Sequence, residues 1–128
     1  MKTKFKHIYL FLLFTTFWNF AAQDVKKNIY VIPIQDTIDL GIPSFVKRGI
    51  DLAESNNGDL IIFDIDTFGG RVDAATQIKD AISATDIPTL AFINRRAISA
   101  GSLISLSCDQ IFMTEGATIG ATSVVDMS

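Results

Sequence analysis

The sequence predicts an α/β fold with a mainly parallel sheet. Three observations lead to this class: short apolar segments rich in β-branched residues, amphipathic segments with helical spacing between them, and short polar connections. Strands and helices that alternate in this way form a parallel sheet with right-handed crossovers. The 128 residues, 48% hydrophobic and 20% charged, suffice for one globular domain with one core.

The first predicted strand is "NIYVIPI", residues 28–34, which is rich in β-branched and aromatic side chains. A helix begins at Ile42, with apolar residues at steps of three and four, and ends at Asn56-Asn57-Gly58. The second strand, residues 59–65, is almost continuously apolar. Such a run is typical of strands that are buried on both faces of a parallel sheet.

The loop "DTFGG" follows the second strand, and an amphipathic helix begins at Arg71. The third strand covers residues 89–93, the loop "RRAIS" leads from it to a short helix, and "QIFMT" is the last predicted strand. Ligands of such sheets bind outside the carboxyl ends of the strands. If the second and third strands are neighbours, both loops lie at that edge, and Gly69-Gly70 lies beside Ser99.

Residues 1–22 have the pattern of an export signal. A lysine-rich start, an apolar stretch of signal length and a cleavage site at Ala21-Ala22 follow one another. An uncleaved anchor is the alternative, because a large residue lies three positions before the cut. We therefore expect residues 23–128 to form one domain on the periplasmic or extracytoplasmic face of a membrane.

Composition excludes several classes of function. Without residues 1–22, eight Lys and Arg remain against 14 Asp and Glu, a net charge of −6, and no basic patch is left for nucleic acid. The single cysteine, Cys108, permits no internal disulfide and is expected to be a small buried hydrophobe. No group of His, Cys, Asp and Glu has metal-ligand spacing, so we predict no metal and no cofactor.

Ser99 is the first candidate catalytic residue. It comes at the predicted first turn of a helix, where backbone N–H groups lack intrahelical acceptors and would stabilise a developing oxyanion. Alternatively Ser99 only caps the helix, since serine is a preferred N-cap. Ser102, Ser105 and Ser107 are weaker candidates, because hydroxyls within a helix bond back to its backbone.

Glycines near Ser99 indicate a close approach of other atoms to the backbone. Gly101 lowers helix propensity in a first helical turn, and such a glycine is usually explained by a close contact. Gly69-Gly70 forms either a tight turn or a pair of backbone N–H groups directed at a substrate carbonyl. Together these residues make a candidate nucleophile with an oxyanion hole, and the residues alone leave both readings open.

Three segments, "IDTFGGRVDAATQIKDAI", "AISAGSLISL" and "GATIGA", resemble the NfeD-type membrane-associated serine peptidases of the Clp protease and signal peptide peptidase A superfamily. The resemblance covers nearly all of residues 28–125. It implies a Clp protease-crotonase spiral of β-β-α units, with Ser99 as the nucleophile. The oxyanion donors that it implies are the backbone amides of Gly69, Gly70 and Ala100.

The same resemblance implies a peptide substrate in hydrophobic segments of membrane proteins, stomatin-like partner proteins and a homo-oligomer. Many members carry proline where this chain has Phe68. Because the oxyanion contact comes from backbone N–H groups, Phe68 need not abolish it, although it changes the adjoining subsite. We expect an extended substrate to pair as an added strand along Phe68, Arg71 and Val72.

A serine nucleophile needs an adjacent base. His7, the only histidine, lies in the predicted signal, which excludes a Ser-His-Asp triad in the mature chain. The resemblance implies a desolvated lysine after "GATIGA", but no lysine follows Lys79. We interpret the chain as an amino-terminal fragment, inactive alone, with its base beyond Ser128. Lys26-Lys27, Lys47 and Lys79 are expected to be solvated.

Two other functions stay open at this stage. A crotonase-like enzyme acting on acyl-CoA thioesters would share the oxyanion hole, although export separates it from intracellular CoA, and it would not need Ser99. A non-catalytic interaction module would use Ser99 only as a cap. The carboxylates of Asp64 and Asp66 offer no better chemistry, since Asp66 is expected to bond backbone groups of a turn.

Overall fold

The computed structural model describes residues 26–122, so the predicted export signal lies outside the described residues. The elements, in chain order, are β1 (Ile29–Ile38), α1 (Ile42–Ser55), β2 (Leu60–Gly70), α2 (Val72–Ala84), β3 (Thr89–Ile98), α3 (Ala100–Ser105), β4 (Gln110–Met113) and β5 (Thr118–Gly120). Among the described residues, no helix has both the length and the apolar character needed to cross a membrane.

The strands form one parallel sheet of five strands. β1, β2, β3 and β4 lie side by side in chain order, and β5 pairs with the later part of β3. α1 packs beside α2, and α2 packs beside α3. The predicted α/β class with a mainly parallel sheet is therefore confirmed. Because such crossovers share one hand, parallel strands that follow each other in chain order place their helices on the same face.

Only one face of the sheet is covered by helices within residues 26–122. Along β2, the side chains of Ile61, Phe63 and Ile65 are fully buried, whereas Ile62 and Asp64 on the other face are partly exposed. The prediction that this strand is buried on both faces is therefore wrong for the described residues. The reason is the topology. The crossover connections share one handedness, so the three helices lie on the same face of the sheet, and the described residues supply no helix for the other face.

Two segments predicted as loops belong to strands. β2 continues through "DTFGG" to Gly70, and β3 continues through "RRAI" to Ile98. Glycine and aspartate favour turns when a segment stands alone. Here Thr37 and Ile38 of β1 pair with Gly69 and Gly70, which holds this part of β2 extended. Pairing with a distant segment thus overrides the local turn preference.

β5 consists of "TIG" within the segment "GATIGA", and the sequence does not predict it as a strand. Three residues are too few to produce a periodic signal. β5 pairs in parallel with Arg96, Ala97 and Ile98 at the end of β3. This pairing brings the "GATIGA" segment against the residues that immediately precede Ser99.

The core lies between the sheet and its helices, and it is built from aliphatic side chains and one phenylalanine. Its larger fully buried members are Ile34, Ile38, Val46, Ile61, Phe63, Ile65, Ile78, Ile93 and Ile104. Phe63 is the largest fully buried side chain among the described residues. It lies on β2, the strand that ends in the two glycines of the candidate site.

We expect Phe63→Ala to lower the free energy of unfolding by about 3–5 kcal/mol, because the truncation removes buried apolar surface and leaves a cavity. Urea unfolding followed by circular dichroism measures this loss. Phe45→Ala is the matched control, since Phe45 is 41% exposed and its removal should cost clearly less. Equal losses in the two variants would contradict this description of the core.

Candidate active site

Ser99 lies in a sharp turn between β3 and α3. Its backbone has φ 53° and ψ −114°, a conformation that residues other than glycine rarely adopt. The Ser99 amide donates to the Gly120 carbonyl at 2.8 Å, and the Ser99 carbonyl accepts bonds from the amides of Ser102 and Leu103. A strained strand-to-helix turn with its backbone fixed on both sides is the geometry in which hydrolases present a nucleophile.

The Ser99 hydroxyl makes no capping hydrogen bond to α3. The alternative that Ser99 serves only as a helix cap is therefore wrong in this structure. The side chain is half-buried, so it is neither part of the core nor fully in solvent.

Gly69 lies directly against Ser99, as the edge argument predicts. A Cβ atom placed on Gly69 would lie 2.9 Å from the Ser99 Cβ, 2.7 Å from the Ile98 carbonyl oxygen and 3.2 Å from the Ala100 nitrogen. Gly69 also has φ 103°, which favours glycine. No side chain fits between the end of β2 and the Ser99 turn.

Gly70 is equally restricted, but on the other side of the strand. A Cβ atom on Gly70 would lie 2.2 Å from the carbonyl oxygen of Ile38 on β1. The amide of the next residue, Arg71, donates to that same oxygen at 2.8 Å. The two glycines therefore let β2 lie close to β1 and to the Ser99 turn at once.

The Gly69 amide is already hydrogen-bonded. The Gly69 amide donates to the Thr67 hydroxyl oxygen at 2.9 Å, and the buried Thr67 hydroxyl in turn donates to the Asp36 carbonyl. Gly69 is thus not a free oxyanion donor in this conformation, contrary to the expectation from the sequence. The Ala100 amide, which opens α3, has no acceptor within the helix.

Close packing explains why residue 101 is a glycine. A Cβ atom on Gly101 would lie 2.5 Å from the Thr67 Cγ2 atom, so the glycine lets α3 approach β2 closely. This confirms the expectation that something approaches the backbone there. The approach places Ala100, at the start of α3, beside the end of β2.

The other serines of this region bond to backbone, as predicted. Ser105 donates to the Gly101 carbonyl and Ser107 to the Leu103 carbonyl, both at 2.8 Å. The hydroxyl of the buried Ser102 lies 2.7 Å from the Ser99 carbonyl and 2.9 Å from the Gly120 carbonyl.

The hydroxyl of Ser102 also contacts the Thr122 hydroxyl. Its contacts with the carbonyls of Ser99 and Gly120 join the Ser99 turn to β5. Ser102 is therefore a structural residue of the turn, a role that the sequence does not reveal.

The three predicted substrate-binding residues all lie at the surface around the end of β2. Phe68 is 73% exposed and Val72 is 66% exposed. Arg71 is exposed as well, and its side chain hydrogen-bonds Asp73 at 2.9 and 2.7 Å. This hydrogen bond raises the pKa of Arg71 and lowers that of Asp73.

Asp66 binds two arginines. Its carboxylate forms ion pairs with both, at 2.9 Å from the Nε atom of Arg95 and 3.0 Å from the Nε atom of Arg96. The guanidinium carbon of Arg96 lies 4.2 Å from the centroid of the Phe68 ring, a cation–π contact. The expectation that Asp66 bonds turn backbone is therefore wrong, because this segment is a strand and not a turn.

The lysines lie in exposed ion pairs, as expected for solvated residues. Lys27 pairs with Asp59, and Lys79 pairs with Asp80. Lys47 hydrogen-bonds Asp51, which raises the pKa of Lys47 and keeps its amine protonated. All three side chains are exposed, whereas a lysine that acts as a general base must be desolvated.

Cys108 and the acidic residues offer no further catalytic centre in residues 26–122. Burial raises the pKa of the Cys108 thiol from 9.0 to about 12, with a smaller contribution from the charge of Asp109. Cys108 packs against the core as a small hydrophobe, as predicted, but it is only partly buried. Within the same residues, no cluster of His, Cys, Asp and Glu could hold a metal ion.

Comparison with known proteins identifies the family of this chain. The family described as NfeD1b, N-terminal domain, matches residues 28–128. The chain belongs to this family. It is 38% identical over 117 residues to the membrane protein NfeD1b of Bacillus subtilis, an overlap that covers 91% of this chain and 27% of that protein.

The chain is also 36% identical over 105 residues to the membrane-bound protease PH1510 of Pyrococcus horikoshii, covering 79% of this chain and 24% of that protein. This NfeD1b-type domain thus spans about a quarter of the length of the two curated relatives. Both relatives are named as membrane proteins, which supports a membrane association of the family.

Solved structures share the fold. A mutant of the 1510-N membrane-bound stomatin-specific protease matches with a TM-score of 0.73 at 34% identity, covering 77% of this chain and 49% of that one. A second mutant, in complex with a substrate peptide, matches with a TM-score of 0.72 at 35% identity, covering 77% and 46%. ClpP1 from Listeria monocytogenes matches with a TM-score of 0.60 at 26% identity, covering 62% and 46%. The Clp protease-like fold is therefore confirmed.

We expect Gly69→Ala to destabilise the protein and displace the Ser99 turn, because the new methyl group would meet Ser99 and Ile98. Gly116→Ala is the matched control, since Gly116 also has a positive φ, 80°, but has no atom within 4 Å of the added methyl group. Both variants carry the conformational cost of a positive φ, so the difference between their melting temperatures measures the clash. Equal melting temperatures would show that Gly69 and Ser99 are not packed as described.

We expect the Cys108 thiol to react with Ellman's reagent at pH 8 at least about tenfold more slowly in the native protein than in urea, since only the thiolate reacts. Equal native and denatured reaction rates would refute this placement of Cys108.

The raised pKa of Cys108 also makes the free energy of unfolding depend on pH. The contribution of the protonated thiol to stability is complete below pH 9.0 and is lost as the pH rises towards about 12, because the native state holds the proton longer.

Proposed function

We propose that this chain carries the nucleophile of a serine peptidase of the Ser-Lys type. The observation that carries the proposal is the Ser99 turn: a strained backbone, a hydroxyl that does not cap α3, and the Gly69 backbone held against it. Two protease structures with the same fold support it. The chemistry follows from these groups.

The Ser99 oxygen attacks the carbon of a peptide carbonyl as its proton passes to the base. The carbonyl electron pair moves onto the carbonyl oxygen, and the amides of Gly70 and Ala100 donate hydrogen bonds to that oxyanion. The C–N bond then breaks, and the protonated base gives its proton to the departing amine. Water later attacks the acyl-serine and releases the second product.

Gly69 has a different role in this proposal. Because its amide already donates to Thr67, its contribution is the absence of a side chain beside Ser99. The proposal therefore assigns the oxyanion contact to the amides of Gly70 and Ala100. Gly69 belongs to the proposed site because it lets the β2 backbone approach the Ser99 turn.

The proposed base is a lysine other than those described here, because the described lysines that form ion pairs are exposed. The relatives support a Ser-Lys dyad: one solved protease structure is a serine-to-alanine mutant, and another is a lysine-to-alanine mutant with a bound substrate peptide. These are the two residue types that such a dyad requires. The amine of the lysine must be desolvated to accept a proton at neutral pH.

The proposed substrates are hydrophobic segments of membrane proteins, with a stomatin-like protein as one partner. The 1510-N membrane protease of Pyrococcus horikoshii is named as specific for a stomatin homolog, which supports the stomatin-like partner. An extended peptide would pass Phe68, Arg71 and Val72, which are exposed at the end of β2. We place the domain on the extracytoplasmic face of a membrane, as residues 1–22 suggest.

Self-association is part of the proposal. β1 is an edge strand of the sheet formed by the described residues, and open edges favour pairing with another chain. The resemblance to the Clp superfamily also implies a homo-oligomer.

We expect Ser99→Ala, in the protein expressed from its full reading frame, to remove labelling by a fluorophosphonate probe. Peptide hydrolysis should fall by several orders of magnitude, because the nucleophile is lost. Ser107→Ala is the control, since that hydroxyl bonds only the Leu103 carbonyl at the end of α3. Mass spectrometry of the labelled peptide identifies the modified serine.

Retained hydrolysis in Ser99→Ala would sink the assignment of this nucleophile. Absence of both labelling and hydrolysis in the unmodified protein would instead favour a non-catalytic interaction module of the same fold. Hydrolysis of an acyl-CoA thioester without labelling would favour the crotonase-like alternative.

A further inference from the structure

A β-bulge before Ser99 brings two successive arginines to one carboxylate. Between two neighbouring pairs of β2 and β3, β2 has the single residue Asp66, whereas β3 has residues 94–96. In a regular strand, Arg95 and Arg96 would point to opposite faces of the sheet. The extra residues of the bulge allow both Nε atoms to reach Asp66, at 2.9 and 3.0 Å.

Arg96 links the Phe68 ring to the Asp66 carboxylate by non-covalent contacts. Asp66 and Phe68 lie two residues apart on β2, so their side chains are on the same face. Arg96 is in contact with both, through the ion pair and through its stacking on the Phe68 ring at 4.2 Å. Because Phe68 is 73% exposed, this stack and not the core determines where the ring stands.

A cleft of about 430 Å³ opens beside this cluster. Its walls include Phe68, Arg95, Arg96, Ile98, Glu115 and Ala117. Ile98 directly precedes Ser99, and one residue of an extended peptide spans about 3.3 Å. A substrate side chain near the scissile bond therefore has room to enter this cleft while its backbone lies at Ser99.

The formal charges around the cleft sum to zero. Arg95 and Arg96 supply two positive charges, and two carboxylates balance them: Glu115 lines the cleft, and Asp66 pairs with both arginines. We propose that Asp66 is a specificity-determining residue, which neutralises the arginines and fixes Phe68 so that the cleft selects an uncharged apolar side chain. This inference rests on the proposed peptidase function and adds the residue that sets its preference. Without Asp66 the cleft would be positively charged and would favour an acidic side chain.

The test is Asp66→Asn, which removes one negative charge and keeps the shape of the side chain. Ten-residue peptides carrying Leu, Glu or Lys at each position in turn are the probes, and the protein is expressed from its full reading frame. Binding is measured by fluorescence anisotropy in the Ser99→Ala background, and cleavage is measured with Ser99 intact. We expect the preference for Glu over Leu at one peptide position to rise about tenfold in Asp66→Asn.

Asp64→Asn is the matched control. Asp64 lies on the same strand and face, but its carboxylate bonds Gln35 and takes no part in the cluster, so the preference should not change. Asp66→Glu, which restores the charge, should return the preference towards Leu. Should Asp66→Asn not fold, Arg95→Gln changes the balance in the opposite direction at a side chain that is 70% exposed. Lys peptides should then bind better.

Three results would overturn the inference: an unchanged preference in folded Asp66→Asn, an equal change in Asp64→Asn, or no binding of any peptide by the Ser99→Ala protein. Peptide binding that shows the expected change without any cleavage by the unmodified protein supports the subsite. In that case only the proposed peptidase function is contradicted. The two proposals can therefore fail separately.

Discussion

The close approach of the β2 backbone to its neighbours at Gly69 and Gly70 is the constraint on which the candidate site depends. A Cβ atom would lie 2.2 Å from the Ile38 oxygen at the second glycine, and 2.9 Å from the Ser99 Cβ at the first. A side chain at either position would push β2 away from β1 or away from the Ser99 turn. The β2 backbone can thus lie against β1 and against the Ser99 turn only because two consecutive residues have no side chain.

The Asp66 cluster acts on the same two strands a short distance earlier. Asp66 precedes Gly69 by three residues, and Arg96 precedes Ser99 by three residues. The strands are thus joined first by an ion pair and then by backbone contact. Exposed ion pairs contribute little to stability, and Arg95 is 70% exposed. Asp66 is only 15% exposed and binds both arginines, so its larger effect is on the position of the side chains around the cleft.

The sequence predicts the α/β class, the order of the main elements and the contact of Gly69 with Ser99. These depend on local periodicity and on the rule that parallel strands share one carboxyl edge. It does not predict that β2 and β3 run on through their predicted loops, because this depends on pairing with the distant strands β1 and β5. Nor does it predict the contacts of Asp66, since a bulge is a property of the register between two strands. The functional roles of these residues remain predictions.

Ser99 is the residue that packing explains least. Its conformation, φ 53° and ψ −114°, costs on the order of 1–3 kcal/mol in a residue other than glycine. Glycine would relieve that cost, and the bonds of the Ser99 amide and carbonyl to Gly120 and α3 could be made by any residue. Its hydroxyl does not cap the helix, and its side chain is only half-buried. Neither backbone geometry, nor capping, nor burial accounts for a serine at this position. What distinguishes the residue is a hydroxyl that does not cap α3, at a position where the Gly69 backbone packs against Ser99, and this is the reason for assigning it as the proposed nucleophile.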